Sequence, residues 1–238
     1  MAKRVTGFAG ALTLCALGIG AAHAQEGEAI SAWTAEGTVG AVSDYRYRGF
    51  SLSDNDVAWQ ADVTLAHASG FYLYGWVSSV TNDGDEVELM GTLGYAADLN
   101  ETGLSIDVAA NVFTYPGVDE STSVEFAATL TQMVGDVSLS AGIGYFPEQD
   151  ALWDMDNTYI HAGVGAPLPF WGAEGSLTVG WEDGAYGDEK IDWTAAVDVP
   201  LWRFNLRLAY VGTDDDVYGD LTDDGFVGEL RYAWSFGG

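Results

Sequence analysis

Cysteine is nearly missing: Cys15 is the only one in 238 residues. It lies in an N-terminal stretch, MAKRVTGFAGALTLCALGIGAAHAQ, that reads as a secretory signal peptide. Lys3 and Arg4 open it, an apolar run reaches Ile19, and Ala22, His23 and Ala24 form a small-residue cleavage site before Gln25. A membrane anchor is the weaker reading, because the apolar core is shorter than the roughly 20 residues a bilayer needs. Lipidation is disfavoured too, since Leu14 stands before Cys15 where a small residue is expected. Residues 1–24 are thus expected to be removed, leaving 25–238 as one domain without a thiol. That excludes disulfides, thiol catalysis and thiolate metal sites.

Positive charge is scarce as well. Lys and Arg number 8 against 36 Asp and Glu, for a net charge of −28, and the signal peptide takes Lys3 and Arg4 with it. Such a surface repels phosphate-rich partners, so nucleic acid is not an expected ligand. No apolar run after the signal is long enough for a transmembrane helix. A secreted soluble domain or a membrane barrel remains.

A two-residue rhythm fills the rest of the chain. In VAWQADVTLAH, Trp59, Ala61, Val63 and Leu65 alternate with Gln60, Asp62 and Thr64; in LSIDVAANV, Leu104, Ile106 and Val108 alternate with Ser105, Asp107 and Ala109. This periodicity predicts about twelve strands of roughly 9 to 11 residues, each the length that crosses a bilayer when tilted. Connections after even strands are mostly short, with APLPFWGAEG the longer exception; those after odd strands are longer and acidic, as in TNDGDE, EDGAYGDEK and GTDDDVYGDLTDDG. Sorting by parity predicts an all-β, antiparallel up-and-down transmembrane barrel in the outer membrane, with both termini in the periplasm. Trp33, Trp171, Trp202 and Trp234 fall near the periplasmic ends and Trp59, Trp181 and Trp193 near the outer ends, as two interfacial girdles would, although ordinary core aromatics are the bland alternative.

Strand parity then assigns the charged residues to faces. In SDYRYRGFSLSD, Tyr45 and Tyr47 would join Val39 and Ala41 on the lipid side, turning Asp44, Arg46 and Arg48 inward, because a lipid-facing Arg near the midplane costs about 2–4 kcal/mol. The same parity turns Arg207, Glu229 and Arg231 inward on the last two strands, which closure sets beside the first. Inward acids elsewhere are Asp62, Glu88, Asp107, Glu125, Asp192 and Asp198. Two readings of these pore-lining candidates stay open. Arg46, Arg48 and Arg231 could pair with Asp44 and Glu229 across the closing seam, or a basic sector could face an acidic arc across a water-filled passage. Small residues at Ala109, Ser138, Ser140, Gly142, Gly144, Ser176 and Thr178 would leave room inside. On strand three, Phe71, Leu73 and Val77 compete with Tyr72, Tyr74 and Trp76 for the outward face.

Catalytic chemistry is not expected. His161 is a lone inward histidine, and His67 beside Ser69 lacks the orienting third group a hydrolase needs. The run TDDDVYGDLTDDG offers Asp214, Asp216, Asp220, Asp223 and Asp224, but Gly225 stands where a calcium loop closes with Glu; weak divalent binding at solvated acidic loops is the most it offers. No cofactor is expected.

SDYRYRGFSLSD (43–54), SGFYLYGWVSSV (69–80), FTYPGV (113–118), PLPFWGAEGSLTVGWED, DWTAAV and LRYAWSF (230–236) resemble, in this order, the TorF-type porin family of proteobacterial outer membranes. The resemblance implies a single porin-type barrel and carries over no substrate or binding residue. Gly237 and Gly238 after Phe236 depart from the usual aromatic terminus of such barrels. The resulting expectation is a monomeric outer-membrane channel for passive diffusion of small hydrophilic solutes or ions, weakly cation-preferring. Its partners would be outer-membrane lipid, lipopolysaccharide and weakly bound divalent cations. The alternative is a closed or plugged barrel with a structural or surface-attachment role through its acidic loops. A membrane-embedded lipid hydrolase is the remote third option.

Overall fold

A computed structural model of the chain describes residues 32–82 and 85–236; the signal-peptide expectation lies outside them. Twelve long antiparallel strands close into a barrel, each bonded to its sequence neighbours and the last to the first. They are β1 (Trp33–Val42), β2 (Ala58–His67), β3 (Phe71–Asn82), β4 (Asp85–Asp98), β5 (Leu104–Thr114) and β6 (Ser123–Val134). The second half comprises β7 (Val137–Gln149), β8 (Met155–Pro167), β9 (Glu174–Gly184), β10 (Gly187–Leu201), β11 (Phe204–Thr213) and β12 (Gly225–Phe236). At the closing seam Gly40 lies opposite Arg231 and Val42 opposite Glu229.

The expected fold and the even strand count are correct, but several strands run longer than expected, β10 to 15 residues. The acidic segments TNDGDE and EDGAYGDEK are largely paired backbone that extends the hairpins: Asn82 pairs with Asp85, and only residues 185–186 separate β9 from β10. Polar alternation suits a ribbon with water on both faces as well as a wall, so periodicity alone could not end these strands. Connections after even strands are short, except at 168–173 after β8. Gly70 allows the first of these turns: its φ is +96°, and a Cβ there would meet the Ala96 carbonyl oxygen at 2.4 Å.

The outside is apolar around the whole circumference: Val39, Leu73, Leu93, Phe126, Ile143, Ile160, Leu177, Leu208 and Leu230 are all exposed. A continuous belt of this kind is far larger than the patch a soluble monomer tolerates, and it matches the surface that lipid covers. Trp59, Trp171 and Trp202 are 68%, 81% and 88% exposed near the strand ends, which rules out the core-aromatic alternative for them. Strand β3 resolves in favour of the first set: Phe71 and Leu73 face out, while Tyr72, Tyr74 and Trp76 are buried inside. Their rings fit where lumen glycines make room, since a Cβ on Gly94 would overlap Tyr72.

Candidate functional site: a plugged lumen

Strand β1 stops at Val42, and residues 43–57 turn into the barrel instead of continuing its wall. Ser43 fixes the turning point through backbone and side-chain bonds with Gly228 on β12, at 2.8 and 2.9 Å. Within the loop, Arg46 pairs with Ser51 and Tyr47 with Phe50 in a two-residue ribbon. Arg48 and Gly49 make its tip with φ values of +46° and +88°, the left-handed pair that a two-residue hairpin turn of the I′ type requires. Gly49 is also needed for close approach, because a Cβ would lie 2.6 Å from that of Thr213. Asp44 braces the base by accepting bonds from Ser51 Oγ at 2.6 Å and from Arg46.

This hairpin corrects the reading of Tyr45 and Tyr47. Both were expected on the lipid side, yet both are buried inside, where their rings meet Trp76 at 5.4 Å and Tyr186 at 6.4 Å between centroids. Leu52, Phe113, Phe146 and Leu152 complete an aromatic-rich core within the lumen. Phe50 packs edge-on against Tyr218 of the 214–224 loop at 5.0 Å. Burial, then the neighbouring Asp215 charge, raises the Tyr218 phenol above its ordinary pKa, so it stays neutral at this contact. Asn55 Nδ2 donates to the Asp220 carbonyl at 3.3 Å and Arg46 to that of Asp223, which seals the hairpin from the loop end.

Arg48 is the clamp. Its Nη2 donates to Glu125 on β6 at 2.7 Å and its Nη1 to Glu182 on β9. The guanidinium carbon sits 3.8 Å from the centre of the Tyr159 ring and 5.9 Å from that of Phe146. Lys190 Nζ bonds Glu182 at 2.5 Å and the Arg48 carbonyl at 3.1 Å, tying the tip to β10. The expected ion pairs across the closing seam are therefore absent among the described residues: Arg48 crosses the lumen, Arg46 pairs with Asp44 inside its own loop, and Arg231 pairs with Glu229 on its own strand. A hairpin reaches farther than a wall strand, which is why the far carboxylates win. Only the Arg–Gly pair between aromatic residues, Tyr47 and Phe50, marked this turn in the sequence.

The remaining candidates divide by depth. Glu88 is fully buried beside the plug and accepts from Tyr45 OH at 3.1 Å, and Asp192 accepts from Tyr159 OH at 3.2 Å. Toward the turn end, Asp62 bonds Thr38, Asp107 accepts from Tyr72 OH at 3.0 Å, and Arg207 pairs with Asp198 at 2.6 Å. Side chains in the Arg207–Asp198 pair are 21% and 28% exposed, against 6%, 3% and 0% for Arg48, Glu125 and Glu182. The lumen is thus a polar vestibule open at the turn end and filled at the loop end. His161 stacks on Tyr159 at their boundary, with centroids 5.6 Å apart. His67 Nδ1 and Ser69 Oγ, 2.7 Å apart, form an exposed turn contact beside Trp33. Among the described residues no three His, Asp or Glu side chains are grouped closely enough to hold a metal ion.

Residues 26–228 match the family model described as "Bacterial protein of unknown function (Gcw_chp)". No curated protein matches the chain. Among solved structures, a KdgM porin is similar at 7% identity with a TM-score of 0.59, over 85% of this chain and 99% of that one. A KdgM porin in complex with disordered oligogalacturonate is similar at 8% identity and a TM-score of 0.58, over 85% and 99%. The NanC porin is similar at 10% identity and a TM-score of 0.54, over 84% and 98%. At these identities the likeness establishes a shared porin-type barrel fold. The TorF-type resemblance rests on the sequence motifs alone.

Proposed function

The chain belongs to the Gcw_chp family of bacterial proteins, and we propose that it is an outer-membrane porin-type channel closed at rest by its own first loop. One observation carries this reading: a polar vestibule inside an apolar-coated barrel ends at a packed core centred on one hairpin, residues 43–57, which is joined covalently only at its two ends. Twelve strands leave more interior than the eight that side chains alone fill, so withdrawal of that hairpin leaves a passage for small hydrophilic solutes or ions. Asp44, Arg46, Arg48, Glu88 and Glu125 would act in the gate. Asp62, Asp107, Arg207, Glu229 and Arg231 would line the vestibule.

Weak cation preference follows from the acidic excess, whose field concentrates cations at the mouth. A polyanion such as the oligogalacturonate of the similar KdgM complex would meet repulsion here. The protein would act without catalysis, as a monomer, with lipid at its belt, and lipopolysaccharide with weakly held divalent cations at its loops.

A second reading, a permanently closed barrel with a structural or surface-attachment role, is favoured by the depth of the Arg48 clamp. Bilayer recording separates the two. Wild type should be mostly silent, and a variant with residues 44–56 replaced by a short Gly-Ser turn should give discrete conductance steps. Silence of both proteins, with the shortened one folded, would establish the closed barrel.

A further inference from the structure

We infer that the wall formed by β6 to β9 is a receptor for guanidinium-bearing cations, occupied in the resting protein by the chain's own Arg48. The inference deepens the proposed channel by naming a solute class, and it rests on that reading only for the route by which the solute arrives. Four consecutive strands build the site: Glu125 from β6, Phe146 from β7, Tyr159 from β8 and Glu182 from β9. Two carboxylates address different terminal nitrogens of one planar fork while an aromatic ring covers its face. This is the arrangement that distinguishes a guanidinium from a compact ammonium.

Wall residues, not the plug, hold the receptor in shape. Asn111 Nδ2 donates to Glu125 Oε2 at 3.0 Å and is itself fixed by Thr92 Oγ1 at 2.8 Å. Asn157 Nδ2 donates to Glu182 Oε1 at 3.0 Å, and Lys190 holds Glu182 Oε2. Each carboxylate therefore keeps a wall partner when Arg48 leaves. What leaves with Arg48 is one of the two cations set among the buried carboxylates Glu125, Glu182 and Asp192, so Lys190 alone remains against them, and a buried carboxylate short of counter-charge attracts a replacement cation strongly. Gly144 supplies the space at the Glu125 side. His161, stacked on Tyr159 and half-buried two residues nearer the turn end, places the floor of the site at the vestibule. A solute entering the vestibule would thus compete with Arg48, and its binding would release the hairpin.

Calorimetric titration of the refolded Arg48→Ala protein with L-arginine and with methylguanidinium tests this, with potassium and L-lysine as comparators. Saturable binding of both guanidinium compounds is expected, about tenfold or more tighter than lysine, and weakened by about tenfold or more in Arg48→Ala/Glu182→Gln. In wild type the apparent affinity should be lower than in Arg48→Ala, because Arg48 competes. No saturable binding to a folded Arg48→Ala barrel, or equal binding with and without Glu182→Gln, overturns the receptor. If Arg48→Ala does not refold, Arg48→Gln, which keeps most of the side-chain volume, is judged by the same criteria. The loop-shortened protein keeps the two hypotheses apart: conductance without arginine binding removes the receptor and leaves the channel, whereas binding without conductance removes the channel and leaves the receptor.

Discussion

Gly144 lies against Glu125 so closely that a Cβ built on it would stand 2.3 Å from Glu125 Oε1, and 3.2 Å from Arg48 Nη2. The glycine is the space into which the ion pair fits. Gly144→Val should therefore push the carboxylate off the guanidinium while leaving the β7 ladder intact. Overpacking of this kind costs about 1–3 kcal/mol, read as a lower urea midpoint in lipid vesicles. Trypsin should also begin to cut after Arg48, whose burial should protect it in wild type. Unchanged cleavage in a destabilised Gly144→Val protein would mean that the plug does not depend on this contact.

Glu182 and Glu125 should differ in their cost of neutralisation. Glu182 meets both Arg48 and Lys190, whereas Glu125 meets Arg48 and Asn111. Glu182→Gln leaves two buried cations short of a counter-charge, at a cost of about 3–5 kcal/mol. Glu125→Gln leaves Arg48 still paired with Glu182 and should cost clearly less. Equilibrium unfolding of both variants checks the order; equal losses would show that the clamp is not centred on Glu182.

Much of this architecture could be read from the residues because a barrel wall obeys one rule. Strict alternation put Asp62, Asp107, Glu125 and Arg207 inside without any knowledge of neighbours, since a one-residue slip would have placed charges in lipid. The hairpin at 43–57 escaped because Tyr45 and Tyr47 keep the same rhythm whether they face lipid or a packed lumen. Both surroundings reward an aromatic ring. Strand β3 was ambiguous for a related reason: Tyr72 and Leu73 are each apolar enough for the outside, and only the space above lumen glycines such as Gly94 decides between them. Long-range contacts such as Arg48 with Glu182 depend on how far a hairpin tip reaches across the barrel, which no local pattern encodes.

The vestibule pairs should matter for ions more than for folding. Arg207 and Asp198 are both partly solvated, so breaking their bridge should change stability by less than about 1 kcal/mol. In the loop-shortened channel, Arg207→Gln should raise cation preference and Asp198→Asn lower it, because each shifts the fixed charge along the passage. Reversal potentials in a salt gradient measure both. Identical potentials in the two variants would mean that the loops alone set selectivity.

Ile143 and Ser140 test which side meets lipid. Both lie on β7, but Ile143 is exposed on the outer belt near mid-strand, and Ser140 faces the vestibule opposite Thr131 and Gly163. Lipid offers an arginine side chain no partner at that depth, so Ile143→Arg should cost about 2–4 kcal/mol. Ser140→Arg projects its charge into water and should cost far less, even though it adds the larger volume change. Folding yields and urea midpoints in vesicles compare the two directly. Should Ser140→Arg prove the more damaging, the face exposed at Ile143 is not the one that lipid covers, and the protein would instead bury its apolar belt against another protein surface.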